Sequence, residues 1–315
     1  MSWFKKDKRN AGWLALQLHQ DEVELVHVWL TANGRPTVGL CDSFRKESSD
    51  PSPLMRVRRE LKLDRYHCTT LLPSKQYQIH EVETPNVPPA EIKAAVRWRL
   101  QDVIDFSVES ATIDALEIPA DPERAAARSP TLYAVTARSD AVEAHVKPFE
   151  ASGIELDAVD ILELAQRNIA VLYEPEDHGG VAMLAFYRDE GLLTFTRGGE
   201  LYASRRIEIP LAQLLDDNFK QRAEHLERIA LEVQRSLDHF ERQYRYVPLS
   251  KLLLGPLPKE IGLRDYLASS IDGPVETADL STVMDFKVPA LAAADRQSQY
   301  LPLIGAALRA EGAFA

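Results

Sequence analysis

The chain has 315 residues, 45% apolar and 27% charged. That is enough for two domains with cores of their own, and typical of neither a disordered chain nor a fibre. A formal charge of −11, with no basic stripe interleaved with aromatics, excludes nucleic acid as a partner.

The first residues depart from that balance: Met1, Trp3 and Phe4 are followed by Lys5, Lys6, Lys8 and Arg9. Such a tag can touch an anionic bilayer weakly, and the simpler reading is a solvated terminus. Gln17, His19, Gln20, Asp21 and Glu22 interrupt any apolar run behind it, so no signal peptide is expected. Nor does any later run reach the roughly 18 apolar residues a spanning helix needs. Cys41 and Cys68 lack a CxxC or zinc spacing and read as reduced thiols of a cytosolic protein.

Strands are predicted over Trp13–Val28, with a turn at Asp21-Glu22, and over Thr37–Phe44 after the Asn33-Gly34 turn. A loop at Ser48–Pro53, a short basic helix at Leu54–Leu63 and a buried strand at Cys68–Leu72 follow. The segment Thr84–Pro119 reads as extended, helix, extended. Pro88 and Pro89 suit a helix start, and Glu91 suits the positive end of its dipole. At about 100° per residue Ile92, Val96, Leu100, Val103 and Ile104 form one apolar stripe. Trp98 falls opposite them, among Glu91, Gln101, Asp102 and Asp105. An aromatic on a charged face fits a partner-binding surface or cover by another domain of the chain.

A loop at Pro119–Pro130, a strand at Thr131–Ala137, a helix capped by Ser139, and strand then helix from Ile154 complete the first half. Glu174–Gly180 is the predicted domain boundary. Hairpin strands near Val181–Tyr187, Leu192–Arg197 and Leu201–Ile209 lead to one helix over Leu211–Tyr246. There Phe219, Ala223, Leu226, Ala230, Val233, Leu237, Phe240 and Tyr244 repeat at heptad spacing. The pattern fits a dimer seam, or a helix seated on its own domain, which is the reading preferred here. Strand Leu252–Leu254, helix Leu263–Ser269 and a closing segment Leu301–Ala310 follow. The order predicts α/β or α+β architecture, and no repeat of solenoid period is visible.

Chemistry-bearing motifs are scarce. The eight histidines form no HExxH or metal clamp, so no metal is expected. GxSxG, GxGxxG and GxxxxGK[ST] are missing as well. His225, His239 and the pair Asp216-Asp217 read as solvated helix face.

Three segments carry a resemblance. Thr84–Pro119 resembles the insert of the PilM-like family of type IV pilus biogenesis. Ala230–Tyr244, ALEVQRSLDHFERQY, is similar to that family's long helix, and Leu301–Arg309, LPLIGAALR, to its closing segment. The resemblance implies an α/β, actin-like (FtsA/PilM-like) two-lobed ATPase fold. The first lobe would be 1–174 with a small α+β insert near 75–150. The second would be 175–315, with 300–310 packing back on the cleft.

In active members a first phosphate hairpin resembles DIGSSSVK, whereas Gln17 to Glu24 here read QLHQDEVE. Gln17 replaces the metal-side carboxylate, His19 a close-approach glycine, and Asp21, Glu22 and Glu24 the hydroxyls and lysine. Acids at that range repel a triphosphate. VAMLAFY, at Val181–Tyr187, lacks the Asp-x-Gly of a second phosphate hairpin, and Gly255-Pro256 replaces paired glycines at the adenosine loop. The expectation is a degenerate nucleotide site, no cofactor and no catalysis.

By resemblance the chain is a cytosolic scaffold at the inner membrane. It would dock the N-terminal cytoplasmic tail of a PilN-like bitopic membrane protein, with the pilus assembly ATPase a further partner. Trp98 is the expected anchor, and Arg97 and Arg99 the expected donors to the tail. The rivals are an active actin-fold ATPase, a cytoplasmic component of a type II secretion platform, and an FtsA-like filament former.

Overall fold

The computed structural model describes residues 11–47, 52–121, 130–177 and 179–309. The basic tag, the predicted loop residues 48–51 and 122–129, His178 and the residues beyond Arg309 lie outside them. In chain order the first elements are strands β1 (Trp13–Leu18), β2 (Glu22–Leu30) and β3 (Pro36–Arg45), helix α1 (Pro53–Leu61) and strand β4 (His67–Leu71). Next come β5 (Tyr77–Glu83), α2 (Ile92–Leu100), β6 (Ala111–Glu117), β7 (Thr131–Arg138), α3 (Ser139–Ala151), β8 (Ala158–Asp160) and α4 (Leu162–Val171). Then β9 (Gly180–Phe186), β10 (Gly191–Arg197), β11 (Glu200–Ile207), α5 (Leu211–Leu214), α6 (Phe219–Gln243) and β12 (Leu249–Leu254) follow. The chain closes with α7 (Leu263–Ser270), β13 (Val275–Thr277), β14 (Asp285–Phe286) and α8 (Ala294–Ala307).

Contacts divide the chain into two compact units, one of residues up to 72, 144–169 and from 280 onward, the other of 73–143 and 170–279. Chain order alone groups the insert with residues 1–174 and residues from 280 with the second half. In the structure the insert's contacts run to 170–279, and β14 and α8 pack on β1–β4.

In the first unit the strands run in the order β14-β3-β2-β1-β4-β8. β1, β2 and β3 are antiparallel, whereas β4 and β8 run parallel to β1. Alternation sends Leu14, Leu16, Val23 and Leu25 to one face, where Leu54 and Val57 of α1 and Phe149 of α3 bury them. Ser52 caps α1 by accepting from Leu54 N at 3.2 Å, and the helix stops at Lys62, whose φ of 52° is left-handed. α8 packs on β1, β2 and β4.

The Asn33-Gly34 turn forms as predicted, with Gly34 at φ 78°. Arg35, next in line, donates Nε to Asp285 at 2.9 Å and its terminal nitrogens to Ser281 O, Thr282 O and Met284 O at 3.3–3.4 Å. One guanidinium thus holds the returning segment that leads to β14. Arg35→Ala should cost about 1–2 kcal/mol, several hydrogen bonds in a half-exposed site, read as a lowered denaturant midpoint. An unchanged midpoint would contradict that role.

In the second unit the order is β11-β10-β9-β12-β13, again three antiparallel strands followed by two parallel ones. Numbered within its own half, this sheet and the first, apart from β14, share the order 3-2-1-4-5. The C-terminal half of α6 lies on it: Phe240 stacks on Phe195 with ring centroids 4.4 Å apart, and Tyr244 meets Tyr202 edge-on. The heptad pattern therefore seats the helix on its own unit. Its first turns are uncovered, with Phe219 81% exposed.

The single helix expected over Leu211–Tyr246 is two. Asn218 caps α6 by accepting from Lys220 N and Gln221 N, and Asp216 accepts from Asn218 N at 2.8 Å. Short polar side chains here bond to the backbone in place of a helical turn.

The insert is the three-stranded sheet β5-β7-β6. α2 covers one face, with Val96, Leu100, Ile104, Val108, Leu132 and Ala134 forming a small core. From the other face Tyr133 Oη donates to Tyr202 O at 2.7 Å, and Gln243 Nε2 of α6 donates to Glu81. Ser139, expected as a cap, opens α3 itself, with its hydroxyl 3.0 Å from Thr112 Oγ1.

Burial pushes the His27, His80 and His145 imidazoles below their ordinary range. The Ala11 carbonyl beside His27 and Asp105 beside His80 pull the other way. A depressed histidine binds its proton better in the unfolded chain. Its contribution is whole above the unfolded value of about 6.5 and is lost as pH falls below it. The urea midpoint should drop between about pH 7 and about pH 5, and His145→Gln should flatten that slope. A parent midpoint flat across this window would refute the assignment.

Candidate functional site

The insert's surface is built on α2. Val96 and Leu100 are fully buried, which turns Trp98 outward to 77% exposure. Val103, predicted on the apolar stripe, is 50% exposed, because α2 ends at Leu100 and the helical angle no longer applies beyond it.

The three residues expected on the contact surface are placed differently. Arg97 turns inward, donating to Val108 O and, at 3.1 Å, to Ala111 O. Those carbonyls border the short turn Val108–Ser110, and the guanidinium fastens that turn to the helix. Arg99 is exposed and paired with Glu83 at 3.1 Å. Trp98 alone of the three presents its whole side chain outward, and sequence spacing carried no sign that Arg97 would be spent internally.

The β1–β2 hairpin is a second candidate. His19 N donates to Glu22 O at 2.8 Å, closing a tight turn over Gln20 and Asp21. Gln17 pairs across the ladder with Glu24. His19 Nε2 lies 2.9 Å from Glu24 Oε2, and Gln299 of α8 donates to Glu24 Oε1 at 2.5 Å. Both oxygens of Glu24 thus have partners within the unit. Asp21 is exposed, and Glu22 lies 3.6 Å from Arg45.

The second unit repeats the device. Tyr187 N donates to Glu190 O at 2.8 Å, around Arg188 and Asp189. This turn follows the predicted hairpin segment, and its Asp-Glu pair falls at the same place as Asp21-Glu22. The shared x-x-Asp-Glu spacing after an apolar strand is the signal that would have found it. Glu190 lies 3.8 Å from Arg206. The N–H of Gly255 donates to Leu184 O at 2.8 Å, so the loop's backbone donor is used inside the sheet, and Pro256 has none.

Among the described residues no group of three or more His, Cys, Asp or Glu could hold a metal ion. No helix among them is long and apolar enough to cross a membrane. Cys41 is half-buried and Cys68 buried, both free, and burial pushes the Cys41 thiol up to about 12, against the pull of Arg296.

A chain in a solved structure described as the PilM-PilN type IV pilus biogenesis complex is similar to this one. It is 18% identical with a TM-score of 0.71, and the match covers 95% of this chain and 98% of that one. The cytoplasmic domain of EpsL, an inner membrane component of the type II secretion system of Vibrio cholerae, is 18% identical over 86% of this chain and 92% of its own, with a TM-score of 0.49. A Bacteroides thetaiotaomicron protein with an actin-like ATPase fold is 10% identical over 90% and 96%, with a TM-score of 0.44. No family model and no curated protein matches the sequence. At such identities the likeness concerns the fold: two sheets of order 3-2-1-4-5 with an inserted module are an actin-like ATPase fold.

Proposed function

We propose that this chain is a non-catalytic scaffold of a type IV pilus assembly platform, docking the N-terminal cytoplasmic tail of a PilN-like inner-membrane protein. The pilus would be of the MSHA type, with this chain the MshI-like counterpart of PilM. It would work in the cytoplasm, held at the inner membrane by its partner. The observation that carries the non-catalytic half is Glu24, locked between His19 and Gln299 where the resemblance puts a phosphate-binding residue. The choice of partner is supported by the whole-chain likeness to the PilM-PilN complex and by the outward Trp98.

Two measurements test the reading. Synthetic N-terminal tails of PilN-like proteins, immobilised, should retain the purified chain, and scrambled tails should not. Equilibrium dialysis with Mg-ATP should leave no nucleotide on the protein. One nucleotide bound per chain would favour an active ATPase and end the scaffold reading, whereas silence toward every tail would end the partner assignment alone.

A further inference from the structure

The cations and the carboxylates around α2 are used differently. Lys93 pairs with Asp114 at 2.8 Å, Arg97 donates to Val108 O and Ala111 O, and Arg99 pairs with Glu83 at 3.1 Å. Every positive charge of the helix is thus engaged within the insert. Glu91 and Asp102, just beyond its two ends, are exposed and make no ion pair among the described residues.

Both carboxylates fall on the side of α2 that shows Trp98. Glu91 precedes the indole by seven residues, almost two full turns, with a helical backbone at φ −100° and ψ −7°. Asp102 follows by four. Gln101, just before it, keeps φ −55° and ψ −37°, and Ile104 N donates to Leu100 O at 3.1 Å, so the helical turn is held through Asp102. One turn back from Trp98 stand Ala94 and Ala95, side chains too short to cover the ring. At about 1.5 Å per residue the acids lie roughly 6 Å and roughly 10 Å along the axis on either side of the indole.

We propose that this face reads positive charge on the docked tail: one lysine or arginine lies across the indole of Trp98 beside Asp102, and a second reaches Glu91. This rests on the scaffold reading above, and it inverts the expectation that Arg97 and Arg99 donate to the tail. The face of an indole attracts a cation through its ring quadrupole, and a carboxylate one turn away adds charge attraction and a hydrogen-bond acceptor.

Charge complementarity selects this occupant. Cytoplasmic segments that flank a membrane span carry an excess of lysine and arginine, so the tail of a bitopic inner-membrane protein brings cations to a face of acids. An acidic segment would meet Glu91 and Asp102 with every cation of α2 already engaged. A wholly apolar segment would use the ring and leave both carboxylates idle. The two acids stand roughly 16 Å apart along the axis, the reach of about five residues of extended chain, which sets the spacing of the two cations.

Synthetic N-terminal tails of PilN-like proteins are titrated against the full chain, each in its native sequence and with every lysine and arginine replaced by glutamine. The neutralised tails should bind about tenfold more weakly or worse, and affinity for the native tails should fall as salt is raised. Asp102→Asn should cost about fivefold and Glu91→Gln about threefold, with melting temperatures unchanged, whereas Asp102→Glu should bind as the parent does. Against a neutralised tail Asp102→Asn should have no further effect, because the cycle of both changes isolates the pair. Asp102→Lys should in turn prefer tails that carry glutamate in place of lysine and arginine.

Equal binding of native and neutralised tails, or parent-like affinity in Asp102→Asn, overturns the proposal and leaves docking of a tail in place. Tighter binding by the parent of tails carrying glutamate at those positions also overturns it, and would return Arg99 to the contact. Retention of no tail at all removes it together with the partner assignment, so the two failures are told apart by the native tails alone.

Discussion

Gly305→Ala should lower stability by about 3 kcal/mol or more, making it among the most damaging single-methyl additions in the chain. Gly305 lies within α8, where alanine would ordinarily gain about 1 kcal/mol over glycine. Here a Cβ would come 2.2 Å from Ala165 O and 2.7 Å from its carbonyl carbon, both backbone atoms of α4. No rotamer relieves such a contact, so α8 or α4 must shift. Asn168 Nδ2 donates to Gly305 O at 2.9 Å across the same seam, and that bond would go with the shift. Nearby, Arg309 is paired to the buried Asp160 at 2.9 Å, so displacing α8 also threatens a charge that has little access to water. In a thermal melt the loss appears as a fall of roughly 6–12 °C. An alanine variant as stable as the parent would mean that the two helices are not in backbone contact.

Trp98→Ala should reduce affinity for the tail about thirtyfold while moving the melting temperature by less than about 2 °C. The asymmetry follows from exposure: a side chain 77% open to solvent gives little to the fold. Buried under a partner, an indole is among the largest single contributors to an interface. Arg97→Ala supplies the contrast. It should cost stability, because Val108 O and Ala111 O lose their donor, and it should affect the tail only through that damage. Titration of each variant on immobilised tails, beside its melt, separates the two roles. If Trp98→Ala binds as tightly as the parent, the indole is not part of the contact.

What could be read from the residues was local. The β1–β2–β3 meander was legible from alternation and the Asn33-Gly34 turn, and Trp98's outward position from helical angle alone. The short parallel strands β13 and β14 were not. Three and two residues long, they owe their existence to partners already in a sheet, Leu252–Leu254 and Thr37-Val38. The break before α6 was missed because heptad spacing outweighed the capping chemistry of Asp216 and Asn218.

The grouping of the insert was hidden for another reason. Its attachment, Tyr133 to Tyr202 and Tyr246 Oη to Pro119 O at 2.7 Å, joins residues far apart in the chain and uses side chains that look unremarkable locally. The candidate hairpin was half legible. Its acids stand in the sequence, whereas the Gln299 that pins Glu24 comes from 275 positions away.

The unit containing the first strands is finished only by the last helix, and that order matters on the ribosome. By the time residues 280–309 emerge, every part of the 73–143 and 170–279 unit has already been made. The half translated first must therefore wait, with the faces of β1, β2 and β4 that α8 will cover still bare, while the half translated later can collapse ahead of it. A nascent chain stalled near residue 279 should be compact in its later portion and open to chaperones and proteases in its earlier one, the reverse of the usual vectorial order.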